Sequence, residues 1–138
     1  ESAQMLSTAH RVLAGDEIAD SKGMYKMTHK NHPSNIWVRA NSENYDWLQQ
    51  HMEALMTEYT YRYGKHHATE RLIYSLWEHP KNITNGDFTD PPMCMPDHCK
   101  DEDTVSAYHK YYIMEKSNFA TWKRRDKPEW FNEERKFA

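Results

Sequence analysis

The densest chemical potential in the sequence lies between positions 58 and 71, Glu58-Tyr59-Thr60-Tyr61-Arg62-Tyr63-Gly64-Lys65-His66-His67-Ala68-Thr69-Glu70-Arg71. Arg62, Lys65, His66, His67 and Arg71 crowd positive charge there, interleaved with tyrosines. Cations of this kind donate to phosphate oxygens, and tyrosine rings and hydroxyls suit bases and sugars. The pattern marks Arg62, Tyr63, Lys65, His67 and Arg71 as a candidate nucleic-acid surface. A helix C-terminus decorated with cations, which the helix dipole favours without any ligand, would look the same.

Other residues offer weaker chemistry. His32, before Pro33, would place an imidazole at a helix start, where it can cap the helix or serve a phosphate as donor or general acid. His67 and Glu70 are three apart, the spacing of carboxylate-bridged metal bundles, with Glu58 nearby in sequence. Such bundles need the unit twice, and one copy is visible. Cys94, His98 and Cys99 are three zinc-ligand types close together, with Asp97 or a distant histidine as a fourth. The usual knuckle has two cysteine pairs at tighter spacing, so no metal is assigned and no cofactor is expected. Lys123-Arg124-Arg125 is a cationic run that a solvated helix face also explains. The sequence lacks a P-loop, a Gly-x-Ser-x-Gly elbow and a His-Glu-x-x-His motif, which argues against NTPases, common serine hydrolases and zincin proteases.

These groups must be positioned by a small chain. Its 138 residues suit one domain, spanning 1–138. Aromatics make up 13%, enough to argue against disorder and to supply core that aliphatics do not. The longest apolar runs are a few residues, which excludes a membrane span. Net charge is −3, so no strongly basic nucleic-acid binder is announced by the total. The total hides a split: residues 84–103 hold six acids against Lys100, so any basic face must be local. Two cysteines do not make a disulfide scaffold, and a reducing compartment, the cytoplasm, is expected.

The spacing predicts helices joined by loops. Met5, Leu6, Ala9, Val12 and Leu13 share a face over 1–14, with Gly15 as the stop. No N-cap precedes Glu1, so the chain is expected to begin inside a helix, with an upstream segment missing. Residues 16–31 read as a polar connector. Ser34 is the expected cap of a short helix, and Ser42 of the clearest one, where Tyr45, Leu48, Met52, Leu55, Met56, Tyr59 and Tyr63 recur at helical spacing before Gly64. A further helix is predicted over 68–78, with Leu72, Ile73, Leu76 and Trp77 inward. Residues 80–103 hold four of the six prolines and read as a long acidic loop. Thr104 is expected to cap a last long helix with Val105, Tyr108, Tyr112, Phe119 and Trp122 inward, broken at Lys127-Pro128, with Trp130-Phe131 tucking back. The fold class is all-α, a compact bundle of about five helices.

The series Asn31-His32-Pro33, Trp37, Tyr45-Asp46-Trp47-Leu48, Glu58 to Lys65, His67 and Glu70 resembles a family of marine phage proteins of unsettled function. Met93 to Pro96, Tyr111-Tyr112 and Lys116 continue the likeness. The order of elements also resembles the endonuclease V type of pyrimidine dimer DNA glycosylase, a compact helical family. There, an early helix bears the catalytic glutamate, a middle helix follows a loop, and the tail carries Pro-x-Trp-aromatic. Glu1 opens the first helix here, residues 45–63 resemble the middle helix, and Pro128-Glu129-Trp130-Phe131 resembles the tail. That family's nucleophile is the free amine of the mature N-terminus, upstream of the glutamate, and that segment is absent here, as is the family's strongly basic character.

The resemblance implies a phage-type DNA repair protein, a glycosylase with lyase activity on damaged pyrimidines. Glu1 and His32 are then the catalytic candidates, and Arg11, Arg39, Arg62 and Lys65 the phosphate contacts. DNA is the implied partner, with no membrane. The alternative is a non-enzymatic helical module that binds nucleic acid or another protein.

Overall fold

Helix boundaries in the computed structural model, which describes residues 1–133, follow from short-range signals. Helix α1 (Ser2–Ala14) ends where Gly15 takes φ 85° and its amide donates to the Arg11 carbonyl. Leu6 and Ala9 face the core as expected, whereas Val12 turns outward. The polar connector is corrected in its first half: α2 (Asp16–Ser21) begins at once. Asp16 and Glu17 occupy its first turn, where the helix dipole favours acids.

Helix α3 (Pro33–Ala40) is capped by His32 rather than by Ser34: His32 Nδ1 accepts from the Ser34 amide at 3.1 Å. Pro33 takes the first helical position, where its missing N–H costs nothing. Helix α4 (Ser42–Tyr63) is capped by Asn41, one residue before the expected Ser42; Asn41 Oδ1 accepts from the Asn44 amide at 2.9 Å. Tyr45, Leu48, Gln49, Met52 and Met56 form its buried stripe. Leu55, expected in that stripe, lies at its edge and is 49% exposed; Tyr59 is half-buried and Tyr63 is exposed. The expected helix over 68–78 splits into a 3₁₀ turn (Ala68–Leu72) and α5 (Ile73–Trp77). Leu72 and Leu76 go inward, but Trp77 is 63% exposed, a second correction.

Residues 1–89 form one compact unit. Its core joins Leu6 and Ala9 of α1, Ala19 of α2, Val38 of α3, Tyr45, Leu48, Met52 and Met56 of α4, and Leu72 and Leu76. Arg11 is drawn into this unit, at 7% exposure. Its guanidinium meets Asp16 at 3.0 Å and Asp20 at 2.8 Å, and donates to the carbonyls of Tyr25 and Met24. The first half of the predicted loop, 80–89, has no regular structure but is laced onto the start of α4. The Ser42 amide donates to Thr84 O, the Phe88 amide to Glu43, and the Thr89 amide to Asn44 Oδ1. Asn44 Nδ2 in turn donates to Trp37 O and Thr89 Oγ1, and Trp37 Nε1 donates to Thr89 O.

Residues 90–138 form the second unit, described through Glu133. Within the predicted loop a 3₁₀ turn covers Asp97–Cys99. Helix α6 (Thr104–Lys116) is capped by Asp103, which accepts from the Ser106 amide at 2.8 Å, not by Thr104. Thr104 instead donates to Pro91 O. Val105 and Tyr112, expected inward, are exposed, and Ala107 is the residue of α6 that is fully buried. The helix ends at Lys116, so Phe119 and Trp122 lie beyond it, and Phe119 is exposed. Pro128 precedes α7 (Glu129–Glu133), whose Trp130 stacks on His109 with ring centroids 4.0 Å apart.

The described residues contain no strand, and the fold is all-α. None of their helices is long and apolar enough to cross a membrane.

Candidate nucleic-acid interface

The turn after α4 is built on Gly64. Its φ of 68° and ψ of 20° are left-handed, and its amide closes the helix on Thr60 O at 2.9 Å. The chain then reverses, and His67 caps the following 3₁₀ turn, its Nδ1 accepting from the Thr69 amide at 3.1 Å. The reversal brings three rings together: Tyr59 lies 4.9 Å from Tyr63 and 4.9 Å from His67, the latter edge-on at 85°. Thr69, buried beside them, pairs its hydroxyl with that of Tyr25 at 2.9 Å. The Arg71 guanidinium sits 5.2 Å over the Tyr25 ring and donates to Gly23 O at 2.8 Å.

Tyr63, His67 and Arg71 are therefore joined through Tyr59, Thr69 and Tyr25 in the first unit, with Arg62 beside Tyr63 in sequence. Tyr61, Tyr63, Lys65 and His67 are exposed there. Two carboxylates temper the charge: Glu58 accepts from Arg62 Nε at 2.7 Å, and Glu70 lies 2.8 Å from His66 Nδ1. Among the described residues His67, Glu70 and Glu58 do not gather into a metal-ligand group.

The remaining site candidates take other roles. Arg11 is a buried structural strut and presents no guanidinium to a phosphate, which corrects its place among the phosphate contacts. Arg39 donates to Lys30 O at 2.6 Å. His32 spends Nδ1 on the α3 cap. Glu1 is exposed ahead of α1 and makes no side-chain cap. In the second unit Cys94 interacts with Tyr108, whose hydroxyl donates to Pro92 O at 3.3 Å. The group that joins His98 and Cys99 is Glu115 of α6.

Two polar features gave no signal in the sequence. Asp46 and His79, 33 residues apart, meet at 2.6 Å on the rim of an open cleft of about 480 Å³ that Gln49, Gln50, Trp77 and Glu78 also line. Beneath it, His10 Nε2 lies 2.8 Å from the Tyr45 hydroxyl, which itself donates to Leu76 O at 2.7 Å. The one hydroxyl proton goes to the carbonyl, so the Tyr45 oxygen accepts from His10 Nε2–H, which fixes the tautomer. Burial, and after it the positive charge of Lys22, pushes the His10 imidazole down to about 4. His10 is thus held neutral.

No protein-family model, curated protein or solved structure matches this chain.

Proposed function

We propose that this chain is a DNA-acting helical protein that grips the sugar–phosphate backbone with the turn after α4. The reading is supported above all by the contacts that connect the Tyr59, Tyr63 and His67 rings with Arg71 around a glycine reversal, Arg62 and Lys65 standing next to Tyr63 and Gly64 in sequence. Such a surface offers ring faces to bases and N–H donors to phosphates in one place. Arg62 and Arg71 are held by acceptors on the protein side, which restricts their side chains before a ligand arrives. The few contacts imply weak binding, on the order of micromolar at physiological salt.

The activity we attach to this surface is glycosylase and lyase chemistry on a damaged pyrimidine. In it the upstream N-terminal amine that the resemblance implies gives up a proton and forms a bond to C1′, the base leaves C1′ with the bonding electrons and takes up a proton, and the sugar ring opens to an imine. Glu1 is the carboxylate that stabilises the cationic intermediate. The target nucleotide must leave the base stack to be reached. A binding module without catalysis would use the same surface, and borohydride trapping of the imine on damaged DNA separates the two when it is done on the protein carrying the upstream segment; the chain of residues 1–138 alone should give no trapped complex.

The test of the surface is a salt titration of DNA affinity for wild type and Lys65→Glu. Each cation that meets a phosphate contributes roughly 0.9 to the slope of log affinity against log salt. Lys65 is exposed and follows the helix, so its reversal should lower affinity and reduce the slope by about one while leaving the fold intact. Equal affinities with equal slopes would remove the interface.

A further inference from the structure

His98, Cys99 and Glu115 bring one nitrogen, one sulfur and one carboxylate oxygen together in the second unit, all within 4.8 Å of one another. Two separate elements hold them. The 3₁₀ turn at Asp97–Cys99, closed by the Cys99 amide on Pro96 O at 2.9 Å, sets His98 and Cys99; α6 presents Glu115. The chain on either side of the turn is tied to α6 by Lys110–Asp101 at 3.0 Å and by Thr104 on Pro91 O at 2.8 Å. His98 Nε2 already meets Glu115 Oε1 at 2.6 Å. Cys99 forms the floor and is fully buried, while His98 and Glu115 open to solvent.

We propose that His98, Cys99 and Glu115 form a binding site for a single zinc-class divalent cation, with water completing the coordination. A mixed nitrogen, sulfur and oxygen donor set suits a borderline cation and not calcium or magnesium, which take oxygen. Tetrahedral zinc with bonds of about 2.0–2.3 Å spaces its ligand atoms roughly 3.3–3.8 Å apart. To take that geometry the histidine and carboxylate, now 2.6 Å apart, must part by roughly 0.7 Å around the cation, while the sulfur already lies within 4.8 Å of both. A thiol buried beside a carboxylate gains little as it stands; a cation between them takes the thiol proton's place and gives both groups a partner. The open face formed by His98 and Glu115 provides the way in.

The experiment uses the whole chain, stripped with chelator and titrated with cobalt(II), then with zinc. One cobalt per chain should bind, with visible bands of tetrahedral cobalt and a near-ultraviolet thiolate-to-cobalt charge-transfer band. Zinc should displace it and raise the melting temperature. Loss of a group that only orients a metal ligand costs roughly 10- to 100-fold in affinity, so His98→Ala and Glu115→Ala, both at exposed side chains, should each cost more than that. Cys99→Ala should abolish the charge-transfer band, and Cys94→Ser should leave it unchanged. If Cys99→Ala does not fold, the two exposed variants and the band in wild type still decide. Cobalt bound without the thiolate band, binding unchanged by Glu115→Ala, or binding lost in Cys94→Ser would each overturn the site.

Discussion

Acid should unfold the first unit through one residue, His10. Its imidazole lies against the Tyr45 hydroxyl beneath the contact of α1 with α4, and burial lowers its titration from 6.5 to about 4. Above pH 6.5 the ring is neutral in both folded and unfolded chains and has no influence on stability. As pH falls below 6.5 the unfolded chain takes up the proton first, so stability declines; below pH 4 both forms are protonated and the loss is complete. A tenfold difference in proton affinity between the two chains is worth about 1.36 kcal/mol, so the loss is about 2 kcal/mol at pH 5 and about 3 kcal/mol at pH 4. The assay is urea unfolding followed by tryptophan fluorescence at pH 7, 5 and 4, for wild type and His10→Gln. Glutamine keeps an amide donor for Tyr45 and cannot titrate. The acid loss should therefore be smaller in the variant by about 2 kcal/mol at pH 5. If both proteins lose stability equally, to within about 0.5 kcal/mol, His10 is not held neutral and its tautomer assignment falls with it.

The core gives a paired expectation: Leu76→Ala, at a wholly buried side chain, should cost roughly 2–5 kcal/mol, and Leu55→Ala, at the half-exposed edge of α4, less than about 1 kcal/mol by denaturant midpoint. Glycine gives another. At Gly64 an alanine Cβ meets nothing within 4 Å but must hold a left-handed backbone, which costs about 1–2 kcal/mol, whereas at Gly86 it would sit 2.9 Å from Asn41 Cβ and disturb the α4 cap. Thermal melting should therefore fall for both variants, and exchange of the first-turn amides of α4 should accelerate in Gly86→Ala alone.

Much of the fold was legible because it depends on neighbours in sequence. Apolar spacing placed α1 and α4, and Gly64 announced its left-handed turn; in α6 it did not find the buried face, since Val105 and Tyr112 are exposed and Phe119 and Trp122 lie beyond the helix end. Helix starts were read late where a second capping residue stands just upstream: Asn41 before Ser42, Asp103 before Thr104, and His32, two before Ser34, ahead of a proline that belongs at the first helical position. Leu55 and Trp77 show the limit of periodicity, which gives a face but not its edges. The site was legible as a cluster at 58–71 because one turn holds it. Arg11 was misread because its partners, Asp16, Asp20 and two carbonyls at 24 and 25, appear only when the chain folds back on itself. Asp46 with His79, and Glu115 with His98, are pairs that only tertiary structure creates.

The lacing of residues 84–89 onto α4 decides where the chain can be divided. Asn44 is wholly buried and spends its side chain on Trp37 O and on both ends of Thr89, so Thr89 completes the hydrogen bonding of an interior amide. A fragment ending at Thr89 keeps every one of these partners. One ending at Lys81, where the last helix of the first unit has already closed, strips Asn44 of both Thr89 partners and opens it to water, at a cost of about 0.5–1.5 kcal/mol for each of the two hydrogen bonds. Residues 82–89, with no helix or strand among them, thus act as the lid of a helix start, and a truncation chosen by secondary structure would cut it off.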